Sequence, residues 1–461
     1  MSTLAPRGAE LADGPSLREL FGGILGDKYD KETNPNGMIN IGTAENYTMI
    51  PEVSQYTQAH PVALTPNQLS YGEGPWGTPR LRRAMAHHMN KRFHTHIPIQ
   101  PDDLLFANGV STICELLGFS LASPGDAILM SSPIYQAFAV DFGTKAKVST
   151  VHVSFPPGID QFSPAAVAEY ERVLLTSSQQ SSSPRIRAIL LCHPHNPLGR
   201  PYPRETLIEF MKLCEKYQIH LLSDEIYAMS VYSTPPPTSP SPSSTSPAAA
   251  PAFESILSIP SSDSYISPFL LHVLYGLSKD FAAGGLRIGC LYTRNRPLWR
   301  AVSAMSQFSW IPVASELLAC RLLEDDEWLE AFFDRSRERL AEGRKVAGRV
   351  LEEKGVPFYA AANAGFFLWV DLRSWLPPLS PPPPPAGSKG EEAEEGDGKR
   401  VEEGKKEREK VLVDRMLEKK VFLTPGMDMF AEEPGFFRLV FSQEEDVVRE
   451  GLRRVFEAIG V

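Results

Sequence analysis

A lysine set among small residues carries the strongest chemical signal in this chain. Ser278-Lys279-Asp280 comes directly after a short apolar run, and Gly284-Gly285-Leu286-Arg287-Ile288-Gly289 lies just beyond. An ammonium at the end of a buried strand is costly unless it is paired or used covalently. Arg287 sits eight residues on, in a glycine-rich turn that lets backbone approach a ligand. A lysine that forms a Schiff base, with an arginine nearby for an anionic group, is the arrangement pyridoxal phosphate needs. Taken alone, the motif also reads as a surface lysine in a turn.

Three further motifs carry polar groups of the right type. Asp224-Glu225-Ile226-Tyr227 follows the apolar run IHLLS. An Asp at the carboxyl end of a parallel strand faces the crevice where ligands bind. A carboxylate there keeps a pyridine nitrogen protonated, and Tyr227 can reach the ring oxygen. His193-Pro194-His195-Asn196-Pro197-Leu198-Gly199 follows the run IRAILLC, and its prolines and glycine make a rigid loop around the Asn196 amide. Asn108-Gly109-Val110-Ser111-Thr112 precedes an apolar helix expected from about Ile113. Free N–H groups and hydroxyls at a helix start make a phosphate cradle. Each of the three also has a plain reading, as a strand-end turn, a proline turn and an ordinary helix cap.

The elements that must position these motifs alternate between strand and helix. Asp126–Ser131, Ile186–Cys192, Ile219–Ser223, His272–Tyr275 and Ile288–Tyr292 are short, apolar and scarcely alternating. Strands buried on both faces of a helix-covered, mostly parallel sheet look like this. Thr78 caps a helix with Pro79 at its first position, and Leu81, Ala84, Met85, His88 and Met89 fall on one face. Ala364–Asp371 and Phe436–Phe441 are aromatic-rich strands separated by charged, helical sequence, which points to a second, smaller α+β domain. Three stretches look like solvated loop expansions: 176–184, 233–252 and the proline-rich, then charged, 376–410.

In their order, Gly109-Val110-Ser111, Pro133-Ile134-Tyr135, Asn196-Pro197-Leu198-Gly199, Asp224-Glu225-Ile226-Tyr227, Ser278-Lys279 and Arg287 make a set that resembles the fold-type I pyridoxal-phosphate enzymes. Within them the set is similar to class I/II aminotransferases. Asn34-Pro35-Asn36-Gly37 and Thr43-Ala44-Glu45-Asn46 bring it nearest to the 1-aminocyclopropane-1-carboxylate synthase-like branch. The resemblance runs from about residue 34 to 445, the three loops excepted. Asp224 and Lys279 lie 55 residues apart, and removing the roughly 20-residue Pro/Ser stretch leaves an ordinary crossover length.

The resemblance implies an α/β fold with a large, mostly parallel sheet domain of the seven-stranded type and a smaller α+β domain. It divides the chain into an arm at 1–70, a cofactor domain at 71–315 and a small domain at 316–461 with a disordered insertion at 376–410. Pyridoxal 5'-phosphate is the implied cofactor. Lys279 would be its Schiff-base lysine and the base that moves the α-proton. Asp224 would pair with the pyridinium nitrogen, Asn196 and Tyr227 would hold the ring oxygen, and Tyr135 would stack on the ring. Gly109, Val110, Ser111, Ser278 and Arg287 would bind the phosphate, with Tyr71 reaching across from the partner of a homodimer. Arg438 would clamp the substrate α-carboxylate with a fork that Lys could not reproduce. Asn196, Ala44 and Glu45 would complete the substrate site.

Two positions depart from the family pattern. Gly276 stands where a hydroxyl residue for the phosphate is common, so one phosphate bond is expected to be missing or supplied by water. His193-Pro194-His195 replaces the commoner Asn-Pro-Ser type, and a His before Asn-Pro also occurs in carbon–sulfur β-lyases of this fold.

Composition narrows the partners. The 461 residues carry a net charge of −10, against the basic surplus of nucleic-acid binders. No run reaches the ~18 apolar residues of a membrane span. Five scattered cysteines with no CxxC pair suit a reducing, cytoplasmic setting, and no metal site is expected. The expected function is transfer of an amino group from an amino acid to a 2-oxo acid. Elimination or cyclisation by a lyase is the alternative, followed by a non-catalytic cofactor-binding regulator. A nucleotide-binding enzyme would need GxGxxG opening the first helix of a βαβ unit, and none stands in that context.

Overall fold

The computed structural model describes residues 3–13, 22–24, 26–179, 183–232, 252–260, 265–378 and 391–461. Its twelve described strands are β1 Ile39–Asn40, β2 Leu104–Ala107, β3 Ala127–Ser131, β4 Ser149–Val153, β5 Ile186–Cys192, β6 His220–Asp224, β7 Leu271–Gly276, β8 Gly289–Thr293, β9 Phe367–Asp371, β10 Val421–Phe422, β11 Thr424–Pro425 and β12 Phe436–Val440. β2 to β8 form one seven-stranded sheet in the order 2-8-7-6-5-3-4. Strands 4, 3, 5, 6 and 7 run parallel, and β8 is antiparallel to both its neighbours. β3, β6 from its second residue and β7 are buried throughout, as their unbroken apolar runs predict.

That topology gathers the motifs. β5, β6 and β7 end on the same edge of the sheet, so the loops carrying Asn196, Asp224 and Lys279 leave it side by side. β2 ends on that edge too, just before Gly109, and β8 begins there, just after Arg287. The open carboxyl edge of a parallel sheet is where a ligand can reach several loops at once.

A second unit packs against this one. β11, β12 and β9 form a three-stranded antiparallel sheet, with Arg438 opposite Trp369 on one side and Thr424 on the other. β1 pairs with β10 in parallel. Ile39, Ile41 and Ala44 share an apolar cluster with Leu340, Phe437 and Leu452, and Tyr227 reaches into the same cluster. The N-terminal arm is thus fastened to the C-terminal part, next to the site edge.

Several expectations change. The apolar helix expected from Ile113 begins at Val110 and runs to Leu121. Residues 176–179, read as loop, are the last turn of the helix Val167–Gln179. The charged part of 376–410, expected to be disordered, belongs to the helix Glu391–Glu418 from residue 391 on. Within it Leu412, Met416 and Glu409 are buried. One inward face is enough to dock a helix whose average composition is that of a solvated segment. The stretch 233–252 lies outside the described residues up to residue 251. The helix Pro79–Phe93 follows the expected pattern, with the Thr78 hydroxyl accepting the Leu81 N–H at 3.3 Å.

Candidate active site

The Gly109 end of the site is built by backbone. Gly109 has φ +109°, a region that L side chains avoid, and a Cβ there would collide with the Arg287 guanidinium. Gly289 faces the same turn, and a Cβ on it would run into the backbone of Gly109 and Val110. The first intrahelical bond is Ile113 N–H to Gly109 O, so the N–H groups of Val110, Ser111 and Thr112 come before it. Arg287 donates to Gly284 O at 3.2 Å and has no ion-pair partner among the described residues. A guanidinium and a helix start meeting at one glycine form a cradle that fits a phosphate dianion.

Gly276 is explained here. A Cβ on it would lie 2.5 Å from Ile288 O, because β7 and β8 pair Gly276 with Gly289. The backbones are too close for any side chain. The expected loss of a hydroxyl donor is therefore built into the packing of β7, β8 and the Gly109 turn.

The Asp224 end is built by side chains. Asp224 is buried at the end of β6, and its Oδ1 accepts the Ile226 N–H at 3.2 Å. Burial pushes its carboxyl up to about 7, against the opposing pull of that N–H and of Lys279. A ring nitrogen that gains a proton is the partner such a carboxylate lacks. Tyr227 is buried edge-on between Phe366 and Phe367. Burial pushes its phenol and that of Tyr135 up, the latter to about 12. Asn196 is buried, and its Oδ1 accepts from Arg438 at 3.0 Å, which leaves its NH2 as a donor.

Lys279 lies between the two ends. Its Nζ donates to Ala44 O at 2.5 Å. Burial draws its amine down to about 8, helped by Arg438 and opposed by Glu45 and Asp224. Arg438 is 3% exposed, and burial lowers its pKa too. It donates to Asn196, to Gly42 O at 2.8 Å and to Thr424 Oγ1 at 3.1 Å, while its Nε has no partner. Among the described residues no carboxylate pairs with it. A buried guanidinium with an unused N–H is costly by itself and complete once a carboxylate arrives.

The two histidines that depart from the family pattern brace the Asn196 loop. His193 takes the Tyr202 N–H on Nδ1 and reaches Glu254 O with Nε2. His195 takes the Leu198 N–H and reaches Ser131 Oγ. Burial lowers both, His193 to about 4 and His195 to about 3, so both are neutral struts.

Other residues were missed by sequence reasoning. Asp280 accepts from Met229 N, Ser230 Oγ and Tyr275 OH, and so ties the lysine turn to the Asp224 turn. Glu225 accepts from Ser223, Ser255 and Ile256, and so pins the chain where it returns after the Pro/Ser stretch. Each is adjacent to a motif residue, and that adjacency was the available signal. Ser278 is half-buried beside Lys279. Tyr71 stands apart from the cluster, 87% exposed, with its ring 6.0 Å from that of Trp310.

The chain matches the family model "Aminotransferase class I and II" over residues 37–455. The chain belongs to that family. A probable aminotransferase, gliI, of Aspergillus fumigatus is 30% identical over 92% of this chain and 89% of its own length. A mouse protein named "probable inactive 1-aminocyclopropane-1-carboxylate synthase-like protein 2" is 28% identical over 96% of this chain and 69% of its own. In fold, aspartate aminotransferase from Thermus thermophilus with maleate superposes with a TM-score of 0.71 at 19% identity, covering 99% of this chain and all of that one. The cofactor of this class I/II family member is pyridoxal 5'-phosphate. The unpaired Arg287, the glycine cradle and the buried Asp224 fit it.

Linkage fixes one consequence for the cofactor-free protein. Asp224 titrates near 7 in the folded chain against an ordinary 3.8, so the native state holds a proton that the unfolded chain has released. Its contribution to stability therefore falls as pH rises from about 4 to about 7. D224N removes that slope. Above pH 7 the cofactor-free variant is expected to exceed the parent by roughly 1–3 kcal/mol, the gap closing toward pH 4. Thermal melts of both proteins across this window check it, and a pH-independent gap would contradict it.

Proposed function

We propose that this chain is an aminotransferase that passes the amino group of an amino acid to a 2-oxo acid. The observation that carries the reading is Arg438 near Lys279, a buried guanidinium with a free Nε–H and, among the described residues, no carboxylate partner. An amino acid or a 2-oxo acid supplies the missing carboxylate, and its α-carbon then lies near the Lys279 amine.

Pyridoxal phosphate, when bound, supplies an electron-accepting ring conjugated to the substrate α-carbon. The residues divide the remaining work. Ser111, Ser278, Arg287 and the backbone turn at Gly109 and Val110 bind the phosphate, and Tyr71 of a second copy completes it in a homodimer. Asp224 holds a proton at the ring nitrogen. Asn196 and Tyr227 donate to the ring oxygen, and Tyr135 covers the ring face. Arg438, backed by Asn196 and Thr424, fixes the α-carboxylate, with Ala44 and Glu45 along the pocket wall. Lys279, with its amine drawn down to about 8, is neutral in about a tenth of molecules at pH 7, far more than an ordinary lysine, and carries the α-proton from carbon to carbon. A soluble, cytoplasmic enzyme suits this chemistry.

A lyase reading rests on a different observation. The Glu45 carboxylate lies within electrostatic reach of Lys279, and several relatives carry synthase-like names. Glu45 is thus available to hold a positively charged leaving group. Loss of catalysis is disfavoured, because Lys279, Asp224 and Arg438 are all in place.

Product analysis tests the reading. The cofactor-loaded protein is mixed with single amino acids, S-adenosylmethionine and a cysteine conjugate, with no 2-oxo acid added. Aminotransfer predicts one equivalent of 2-oxo acid per site and no ammonia. Continuous release of ammonia with pyruvate, or of cyclopropane acid, overturns it in favour of the lyase.

A further inference from the structure

We propose that Glu409, on the charged helix Glu391–Glu418, is a positioning residue of the active site. Its carboxylate fixes the loop from Gly426 to Gly435, and that loop holds Arg438 from one side and the Tyr135 turn from the other. The proposal rests on the pyridoxal-phosphate reading of the site given above.

Glu409 is 2% exposed and has no basic partner among the described residues. Its two oxygens accept backbone N–H groups, from Met427 at 2.8 Å and Gly435 at 2.7 Å. These residues mark the two ends of the loop, so one carboxylate closes it. A buried carboxylate held only by N–H groups is expensive, and burial pushes its pKa up to about 7. Surface solubility does not require a glutamate in that position. Lys405 Nζ, one turn earlier on the same helix, adds a bond to Glu432 O at 2.7 Å.

The loop reaches the site by two routes. Thr424, two residues before Gly426, places its hydroxyl between Arg438 Nη2 at 3.1 Å and Gly42 O at 2.9 Å. Farther along, Met429 O accepts the Ile134 N–H at 2.9 Å, and Phe430 O accepts from Ser132 Oγ. The Phe430 ring stacks on His152, with centroids 3.9 Å apart. Phe430 itself has φ +61°, a conformation unfavourable for a bulky side chain that the surroundings must enforce. Ser132 and Ile134 lead directly into Tyr135. Glu409 therefore sits behind both the carboxylate clamp and the ring-stacking residue without touching either.

The test uses full-length, cofactor-loaded E409A and E409Q. The first measurement is the affinity for pyridoxal phosphate by absorbance titration. The second is the spectral response of the loaded protein to the twenty common L-amino acids, taking the strongest responder for KM and kcat. E409A is expected to weaken both the cofactor and that amino acid by about tenfold, with kcat changed much less. E409Q, whose single oxygen replaces one of two acceptors, should fall between. If E409A does not fold, S132A removes the bond that joins the loop at Phe430 to the Tyr135 turn and should raise the cofactor Kd severalfold alone. Cofactor Kd and KM within twofold of the parent in both folded glutamate variants would overturn the proposal. A parent protein that binds cofactor but answers no amino acid would instead overturn the functional reading.

Discussion

Replacing Lys279 by alanine is expected to lower kcat/KM for every substrate by about 10⁴-fold or more. In the proposed mechanism the lysine is both the covalent anchor and the carrier of the α-proton, and no neighbouring side chain fills both roles. Asp224 is a neighbouring base, but in that mechanism its charge is committed to the ring nitrogen. The loss must appear in chemistry and not in folding. Lys279 spends its burial on one bond to Ala44 O, and burial draws its amine down to about 8. Removing an ammonium the fold tolerates so poorly should leave the cofactor-free protein at least as stable. K279A should also lose the visible absorption of the lysine-linked cofactor, while Arg287 and the Gly109 turn still hold the phosphate. Single-turnover kinetics, a melt and a spectrum separate these outcomes. Turnover near the parent's would remove the basis of the assignment.

Arg438→Lys carries the second-largest expected effect. The guanidinium reaches Asn196, Gly42 and Thr424 at once and still keeps a free Nε–H. An ammonium is a single point and cannot do both tasks. Losing one charge-assisted bond costs about 2–3 kcal/mol, or about 100-fold in kcat/KM. The fall should lie mainly in KM. It should also depend on the substrate, because an amine that lacks the α-carboxylate never engages this residue. The ratio of kcat/KM for an amino acid over its decarboxylated amine should therefore collapse in R438K. An unchanged ratio would mean that Arg438 serves packing only.

The sequence disclosed some parts of this site and concealed others, for physical reasons. β5 matched its expected range, and β3, β6, β7 and β8 matched within a residue or two at each end, because strands buried on both faces leave long apolar runs. β2 and β4 were missed. One is four residues long, and the other lies at the sheet edge with a mixed sequence. Lys279, Asp224 and Asn196 were legible because polar residues at or just past strand ends are conspicuous against such runs, whereas Arg438 stands in the middle of β12 and was legible only through the family resemblance. The second ring of support was not. Thr424 meets Gly42 across 382 residues of chain, and Arg438 meets Asn196 across 242. No local pattern encodes such pairs. Glu409 was hidden more deeply, since composition averages a helix and its one inward face disappears in the mean. Gly276 illustrates the reverse error: the missing hydroxyl looked like a lost contact, whereas the paired backbones leave no room for one.

The central claim is that one pocket, on the carboxyl edge of the seven-stranded sheet, takes pyridoxal phosphate on Lys279. Borohydride reduction of the cofactor-loaded protein tests it most directly, because it converts the carbon–nitrogen double bond into a stable secondary amine. Digestion and mass spectrometry then locate the label. The account predicts one phosphopyridoxyl group per chain, on the peptide holding Lys279, and none in K279A. A label spread over surface lysines, or fixed on another lysine in the parent protein, would contradict it.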